Sequence, residues 1–201
     1  MKKTDIILSL IIGEITAWYF FLFLRDLGSQ SNMISSVLWS LPIIFPILSV
    51  IGIWIAYLIG KKFLFIFQLA KFLLIGVFAT VVDLGLLALL ISFSGISAGI
   101  VYSVFKGITF ITATVSKYWG DKVWAFEKKE TTGLGSEFTK FFLVTLVGMV
   151  INVGIASFVV NLIGPQFGLS SSIWANLGGI IAAFTTVLWN FVGYKFLVFK
   201  K

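Results

Sequence analysis

Long apolar runs separated by short polar connections occupy most of this chain. Six of them, at about 6–25, 34–59, 69–93, 97–118, 138–162 and 172–195, reach the roughly 20 mostly apolar residues that a helix needs to cross a bilayer. The pattern predicts an all-α fold, a polytopic membrane helix bundle of six transmembrane helices. The last four runs form an internal repeat. Lys71–Leu90 (KFLLIGVFATVVDLGLLALL) aligns at an offset of 69 with Lys140–Val159 (KFFLVTLVGMVINVGIASFV), which sets Lys71 on Lys140, Phe72 on Phe141, Leu74 on Leu143, Asp83 on Asn152 and Gly85 on Gly154. Lys117–Phe126 (KYWGDKVWAF) then aligns at an offset of 73 with Asn190–Phe199 (NFVGYKFLVF), so that Gly120 meets Gly193, Lys122 meets Lys195 and Phe126 meets Phe199. The offset grows by four because the second loop is longer. Each copy holds two runs, so both copies enter the membrane in the same sense. This is a parallel repeat of helical hairpins, one of the two ways in which transporters are built by duplication. The predicted organisation is a two-span N-terminal extension, 1–67, followed by a four-span domain, 68–201, with repeats at 68–130 and 137–201.

Composition narrows the function classes. With 59% hydrophobic and 11% charged residues the chain is no ordinary soluble domain, and no loop is long enough to hold one. The absence of cysteine and histidine removes disulfides, thiol nucleophiles, haem and ordinary zinc sites, so no cofactor is expected. Lys2 and Lys3 mimic the start of a signal peptide, but the apolar stretch after them is long and lacks a small-residue cleavage site. A retained first helix is expected.

Charge placement predicts the topology. Of fifteen Lys and Arg residues, thirteen fall in alternate connections: Lys2 and Lys3; Lys61, Lys62 and Lys71; Lys117, Lys122, Lys128, Lys129 and Lys140; Lys195, Lys200 and Lys201. Short loops rich in Lys and Arg stay in the cytoplasm, which puts both termini inside. The net charge of +7 then reads as this bias plus attraction to anionic membrane lipids, and no nucleic-acid partner is needed to explain it.

Polar residues inside the apolar runs are the candidate functional groups, because an ionisable side chain at mid-bilayer is costly and faces protein or water. Asp83 lies about twelve residues before the loop near Gly95 and Lys106 about eleven after it, nearly equal depths at about 1.5 Å rise per residue. Their counterparts are Asn152 and Gly179. Two readings stand side by side: a structural ion pair that fixes the hairpin, or a lysine that meets an anionic substrate group and an acid that holds or releases it. Glu14, in the first span, reads either as a protonated hydrogen-bonding group or as a proton carrier. Pro42 and Pro46 are expected to kink the second span.

A third group lies at the inner ends of the fourth and sixth spans. Lys117, Asp121 and Lys122 in one copy answer Asn190, Tyr194 and Lys195 in the other, interleaved with Trp119, Trp124, Phe126, Trp189, Phe196 and Phe199. Aromatics and lysines at this depth are ordinary interfacial anchors. Their duplicated spacing, with amides and glycines, also fits a collar for a lipid phosphate bearing a polar group.

At these residues the chain resembles the GtrA-like family of small four-span membrane proteins, whose spans end in a motif close to N-[FY]-x-x-N-[RK]-x-[WF]-x-F. The second copy fits through Asn190, Phe191, Lys195 and Phe199, with Tyr194 in place of the second amide; the first fits through Tyr118, Lys122, Trp124 and Phe126, with Lys117 and Asp121 at the amide positions. Asp83 matches the acid typical of the family's first span. The resemblance covers roughly 68–201 and leaves out the first two spans.

The resemblance implies translocation of polyprenyl-phosphate-linked monosaccharides across the cytoplasmic membrane for glycosylation of cell-surface polysaccharide. The implied partners are the sugar lipid itself, a glycosyltransferase that makes it and one that uses it. On that reading Lys117, Lys122 and Lys195 first meet the phosphate, Lys106 neutralises it in passage beside Asp83, and Asn152, Asn176 and Asn190 hydrogen-bond sugar hydroxyls. Four core spans fit a homodimer. Similar units attached to dolichol-phosphate-mannose-type synthases set the rival expectation, a non-transporting anchor or assembly subunit for a glycosyltransferase. No catalytic spacing of acids and bases occurs, so an enzyme is not expected.

Overall fold

Hydrocarbon offers no hydrogen bonds, so a chain this apolar has to pair its backbone groups within each segment, and the helix does so. The computed structural model describes residues 1–27, 38–96, 99–128, 130, 132–168 and 171–200, and these contain helices and turns but no strand. The helices are α1 Lys3–Leu27, α2 Leu41–Gly60, α3 Leu64–Ser94, α4 Gly99–Gly120, α5 Leu134–Ser157 and α6 Ser171–Gly193. Three π-helical turns accompany them: π1 Asp121–Ala125, π2 Phe158–Ile163 and π3 Tyr194–Val198. Five stretches among the described residues are long and apolar enough to cross a membrane, namely Lys3–Arg25, Leu41–Gly60, Leu64–Ser94, Leu134–Ile155 and Ile181–Val198. With 22 residues, α4 has the length for a sixth.

Side chains are distributed as in a lipid-bathed bundle. Large apolar groups such as Ile43, Leu64, Phe93, Ile111 and Phe158 face outward, while much of the interior is small or hydroxylated, with Ala17, Ala182, Ser9 and Thr109 fully buried. Small residues let helices approach without help from the hydrophobic effect, which does not operate between helices in lipid. The hydroxyls bond to their own helices: Ser9 to the Asp5 carbonyl at 2.8 Å, Thr16 to Ile12 at 2.7 Å and Thr112 to Ile108 at 2.9 Å.

Contacts group the chain into two units, Met1–Glu127 and Lys128–Lys201. In the first, α1 meets α2 where Gly13 brings its backbone onto Pro46; a Cβ there would stand 2.6 Å from the Pro46 Cα. Phe21 and Trp39 (4.8 Å between ring centroids) and Phe20 and Phe45 (5.8 Å) continue the seam. Of the two prolines expected to bend the second span, only Pro46 lies inside α2. Pro42 occupies its first turn, where the missing N–H has no intrahelical acceptor to lose. The α3–α4 hairpin begins to turn at Gly95, whose φ of +70° makes a left-handed cap, its N–H bonding to Ile91 O at 2.8 Å. In the second unit Gly164 stands at the repeat-equivalent position with the same φ of +70°, after π2 rather than after a plain α-helical end.

One ion pair ties the extension to the first repeat. Lys71 Nζ lies 2.8 Å from Asp5 Oδ1, with both side chains almost wholly buried. Asp5 Oδ1 also accepts from Trp124 Nε1 at 2.9 Å, and Oδ2 from the Lys2 backbone N–H at 2.7 Å. Lys71 reaches Glu127 Oε1 at 3.3 Å and the Trp124 carbonyl at 3.5 Å, and its ammonium sits 4.3 Å from the Phe67 ring centroid. At the edge Lys2 Nζ pairs with Glu127 Oε2 at 2.6 Å; this bond holds the Glu127 carboxyl below its usual range and lifts the Lys2 ammonium above its own. Breaking one half of a buried pair leaves an uncompensated charge and costs about 3–5 kcal/mol, whereas apolar replacement of both halves is often close to neutral. Lys71→Met and Asp5→Leu are each expected to destabilise the protein by that amount in detergent unfolding experiments. The double variant should cost clearly less than the two singles together, and strict additivity would contradict the pairing.

Candidate functional site

The repeated closing stretches become the same structure twice. In each copy a glycine brings the end of the second helix hard against the first. A Cβ on Gly120 would fall 2.9 Å from Ile75 Cγ2, and one on Gly193 2.6 Å from Val144 Cγ1; Ile75 and Val144 are themselves equivalent at the offset of 69. Directly after the glycine the helix widens to i→i−5 bonding, with Phe126 N–H on Asp121 O at 2.9 Å and Phe199 N–H on Tyr194 O at 2.7 Å. The widened turn folds its aromatic end inward: Trp124, Phe126 and Phe199 are all buried. Such π turns are uncommon and gather at functional sites.

In the first unit the turn is built on charge. Lys117 Nζ lies 3.9 Å from the centroid of Phe72 and 2.5 Å from Asp121 Oδ2. Asp121 has no exposed surface, and Lys122, 5.9 Å from the Tyr118 ring, is 1% exposed. Both were expected to face the membrane interface. They are buried instead, because the π turn rotates the residues after Gly120 toward α3. In the second unit Tyr194 replaces Asp121 and stacks on Phe141, the counterpart of Phe72, at 4.3 Å, with its hydroxyl 2.6 Å from Thr145 Oγ1. Asn190 takes the place of Lys117 and its side chain lies against Gly148. Lys195 is half-buried between Phe191 and Phe196, at 5.8 and 5.7 Å. The same phenylalanine thus serves as platform in both copies, beneath an ammonium in one and a phenol ring in the other.

Further along the helices, Asp83 and Asn152 again play matching parts. The Thr109 hydroxyl donates to Asp83 Oδ1 at 2.7 Å, and Asn152 Nδ2 donates to Thr186 Oγ1 at 3.1 Å. Thr186 lies within 3.4 Å of Gly148 O, so Asn152, Thr186, Gly148 and Asn190 form one polar strip between α5 and α6. The side chains of Lys106 and Asn176 lie outside the described residues, and with them the pairing expected between Lys106 and Asp83. Glu14 accepts from Trp18 Nε1 at 2.8 Å on its own helix. Sequence reasoning did not single out Asp5 and Glu127, the acids that neutralise Lys71. Their only sequence signal was acid placed among basic connections.

A bundle of membrane-crossing helices with a duplicated aromatic and basic closing turn defines a polytopic helical membrane protein, multi-pass and all-α. The family model described as the GtrA/DPMS transmembrane domain matches residues 71–199, and the chain belongs to that family. The matched span opens on Lys71 and closes on Phe199, the two ends of the paired hairpins, with α1 and α2 outside it. No curated protein and no solved structure matches the chain.

The glycine contacts are directly testable. Gly193→Ala should destabilise the fold by about 1–3 kcal/mol, the usual cost of overpacking, because the β-branched Val144 has little rotamer freedom to give way. Val144→Ala should restore most of the loss. Gly120→Ala should cost less, since its new methyl falls 2.9 Å from Ile75 Cγ2 against 2.6 Å from Val144 Cγ1 at Gly193. Thermal unfolding of Gly193→Ala, Gly193→Ala/Val144→Ala and Gly120→Ala beside the wild type checks the order.

Proposed function

We propose that the protein moves polyprenyl-phosphate-linked monosaccharides across the cytoplasmic membrane, supplying glycosylation of cell-surface polysaccharide. Family membership supports this reading, and the observation that carries it is the twice-built closing turn, which holds lysines against aromatic rings at the helix ends. The barrier to flipping is the passage of a phosphate charge and a sugar through hydrocarbon. A protein lowers it by offering a polar seam while the prenyl chain stays in lipid.

Lys195, half-buried between two rings, receives the phosphate in the second copy; Lys117 and Lys122 serve in the first when the turn opens. Asp83 and Lys106 line the deeper path of the first copy. Asn152, Asn176 and Asn190 offer hydrogen bonds to sugar hydroxyls in the second. Both termini face the cytoplasm, and the partners are a glycosyltransferase that loads the carrier and one that unloads it on the far side. The chain acts as a transporter and not as an enzyme, and a homodimer provides the complete pathway.

Reconstitution tests this. Proteoliposomes containing a labelled polyprenyl-phosphate hexose are expected to show headgroup translocation above empty liposomes. Lys195→Ala, Lys106→Ala and Asp83→Asn should each slow it by on the order of tenfold or more, the effect of losing one charged hydrogen bond, while remaining folded. Equal rates in all variants would remove these side chains from the path. No translocation by the wild type, across several sugars, would favour the glycosyltransferase-anchor role.

A further inference from the structure

Buried polar atoms are nearly always hydrogen-bonded, and one that is not calls for an explanation. Asp121 is such a case. Its Oδ2 holds Lys117, but its Oδ1 is buried and has no hydrogen-bond partner. The corresponding helix end of the second unit repeats the oddity one turn earlier, where Asn190 Oδ1 is also buried and unpartnered. Each copy thus presents an idle oxygen at one of its two amide-motif positions. The other orphan among the described residues, Gln68 Oε1, lies near the start of α3, outside the closing turn.

We propose that Asp121 is a headgroup-binding residue whose Oδ1 accepts a hydroxyl of the lipid-linked sugar, with Lys117 as its positioning partner; this rests on the transport function proposed above. The chemistry selects the ligand group. Lys117 already neutralises the carboxylate, so the idle oxygen requires a donor and not a second cation. The phosphodiester of such a lipid is a monoanion without a proton to donate, so it is acceptor-only and no partner for a carboxylate oxygen. A sugar hydroxyl is a neutral donor of the right kind. The two ends of the headgroup are therefore sorted, phosphate to the lysines and sugar to Asp121.

Burial supplies the coupling. With Gly120 seated on Ile75, Oδ1 is closed to ligand, and it is reached only when the end of α4 parts from α3. A headgroup that can satisfy Oδ1 gains a bond in the open state that the closed state lacks. It shifts the equilibrium toward opening, and only differential binding of this kind can do so. A polyprenyl phosphate without sugar offers no such donor once its second proton is lost, so the comparison is made above about pH 8, well past the second pKa of about 6.

The test compares binding of a polyprenyl-phosphate hexose with that of the same polyprenyl phosphate lacking the sugar. Purified full-length wild type is measured beside Asp121→Asn and Lys117→Met/Asp121→Leu. The double variant removes the buried pair as a unit, which keeps the fold safer than a lone buried lysine would, and helicity and thermal unfolding check it. Wild type is expected to prefer the hexose lipid by on the order of tenfold. The double variant also lacks one phosphate-binding lysine, so it should bind both lipids more weakly and without that preference, and Asp121→Asn, which keeps Lys117, should show a preference between the two. A folded double variant that keeps the preference, or a wild type that binds both lipids equally, overturns the role of Asp121 and leaves the transport function standing. A wild type that binds neither lipid overturns both.

Discussion

An ammonium withdrawn from water must find a counter-charge, and the first unit is arranged around how Lys71 finds one. Its acid comes from Asp5, at the start of a helix outside the matched family domain. That carboxylate also fixes the Trp124 ring, and Lys71 itself reaches the carbonyl of the π turn. A single buried pair therefore holds α1, the start of α3 and π1 to one another. The extension is thus more than an appendage: it supplies the buried carboxylate for a lysine whose other polar partners among the described residues are the half-exposed Glu127 carboxylate and the Trp124 carbonyl.

The second unit meets the same requirement with local means. Lys128 pairs with Glu137 at 2.7 Å and reaches the Val198 carbonyl at 3.4 Å, so a lysine and an acid again close over a π turn, both drawn from the short segment that leads into and begins α5. Lys140, the counterpart of Lys71, is exposed. Duplication has preserved the architecture of the turn while its electrostatics were solved twice. Lys117 with Asp121 and Tyr194 with Phe141 are likewise two answers to one packing problem over the same platform residue.

Burying these groups is costly unless they are paired, and both units show how few polar atoms are left over. Most hydroxyls bond to their own helix, Asp83 and Asn152 meet threonines across the hairpin, and the orphan oxygens of Asp121 and Asn190 stand out because their surroundings are otherwise satisfied. In an apolar solvent such exceptions are where chemistry concentrates.

Much of the fold was legible in the chain because the bilayer imposes one-dimensional rules. Span length, apolar continuity and the twofold recurrence of Lys-Phe starts and Gly-x-Lys closing stretches are local properties, and they determined the helical bundle, its repeat and the family to which it belongs. The site was only half legible. The motif positions were visible, but Lys122 and Asp121 read as surface groups, since α-helical periodicity does not anticipate a π turn that rotates them inward. Nor did spacing reveal that Asp5 answers Lys71, because ion pairing between residues far apart in sequence depends on which helices come together. Which polar atoms are satisfied, which are buried and which are left idle is a property of three-dimensional contact, and only the tertiary structure decided it.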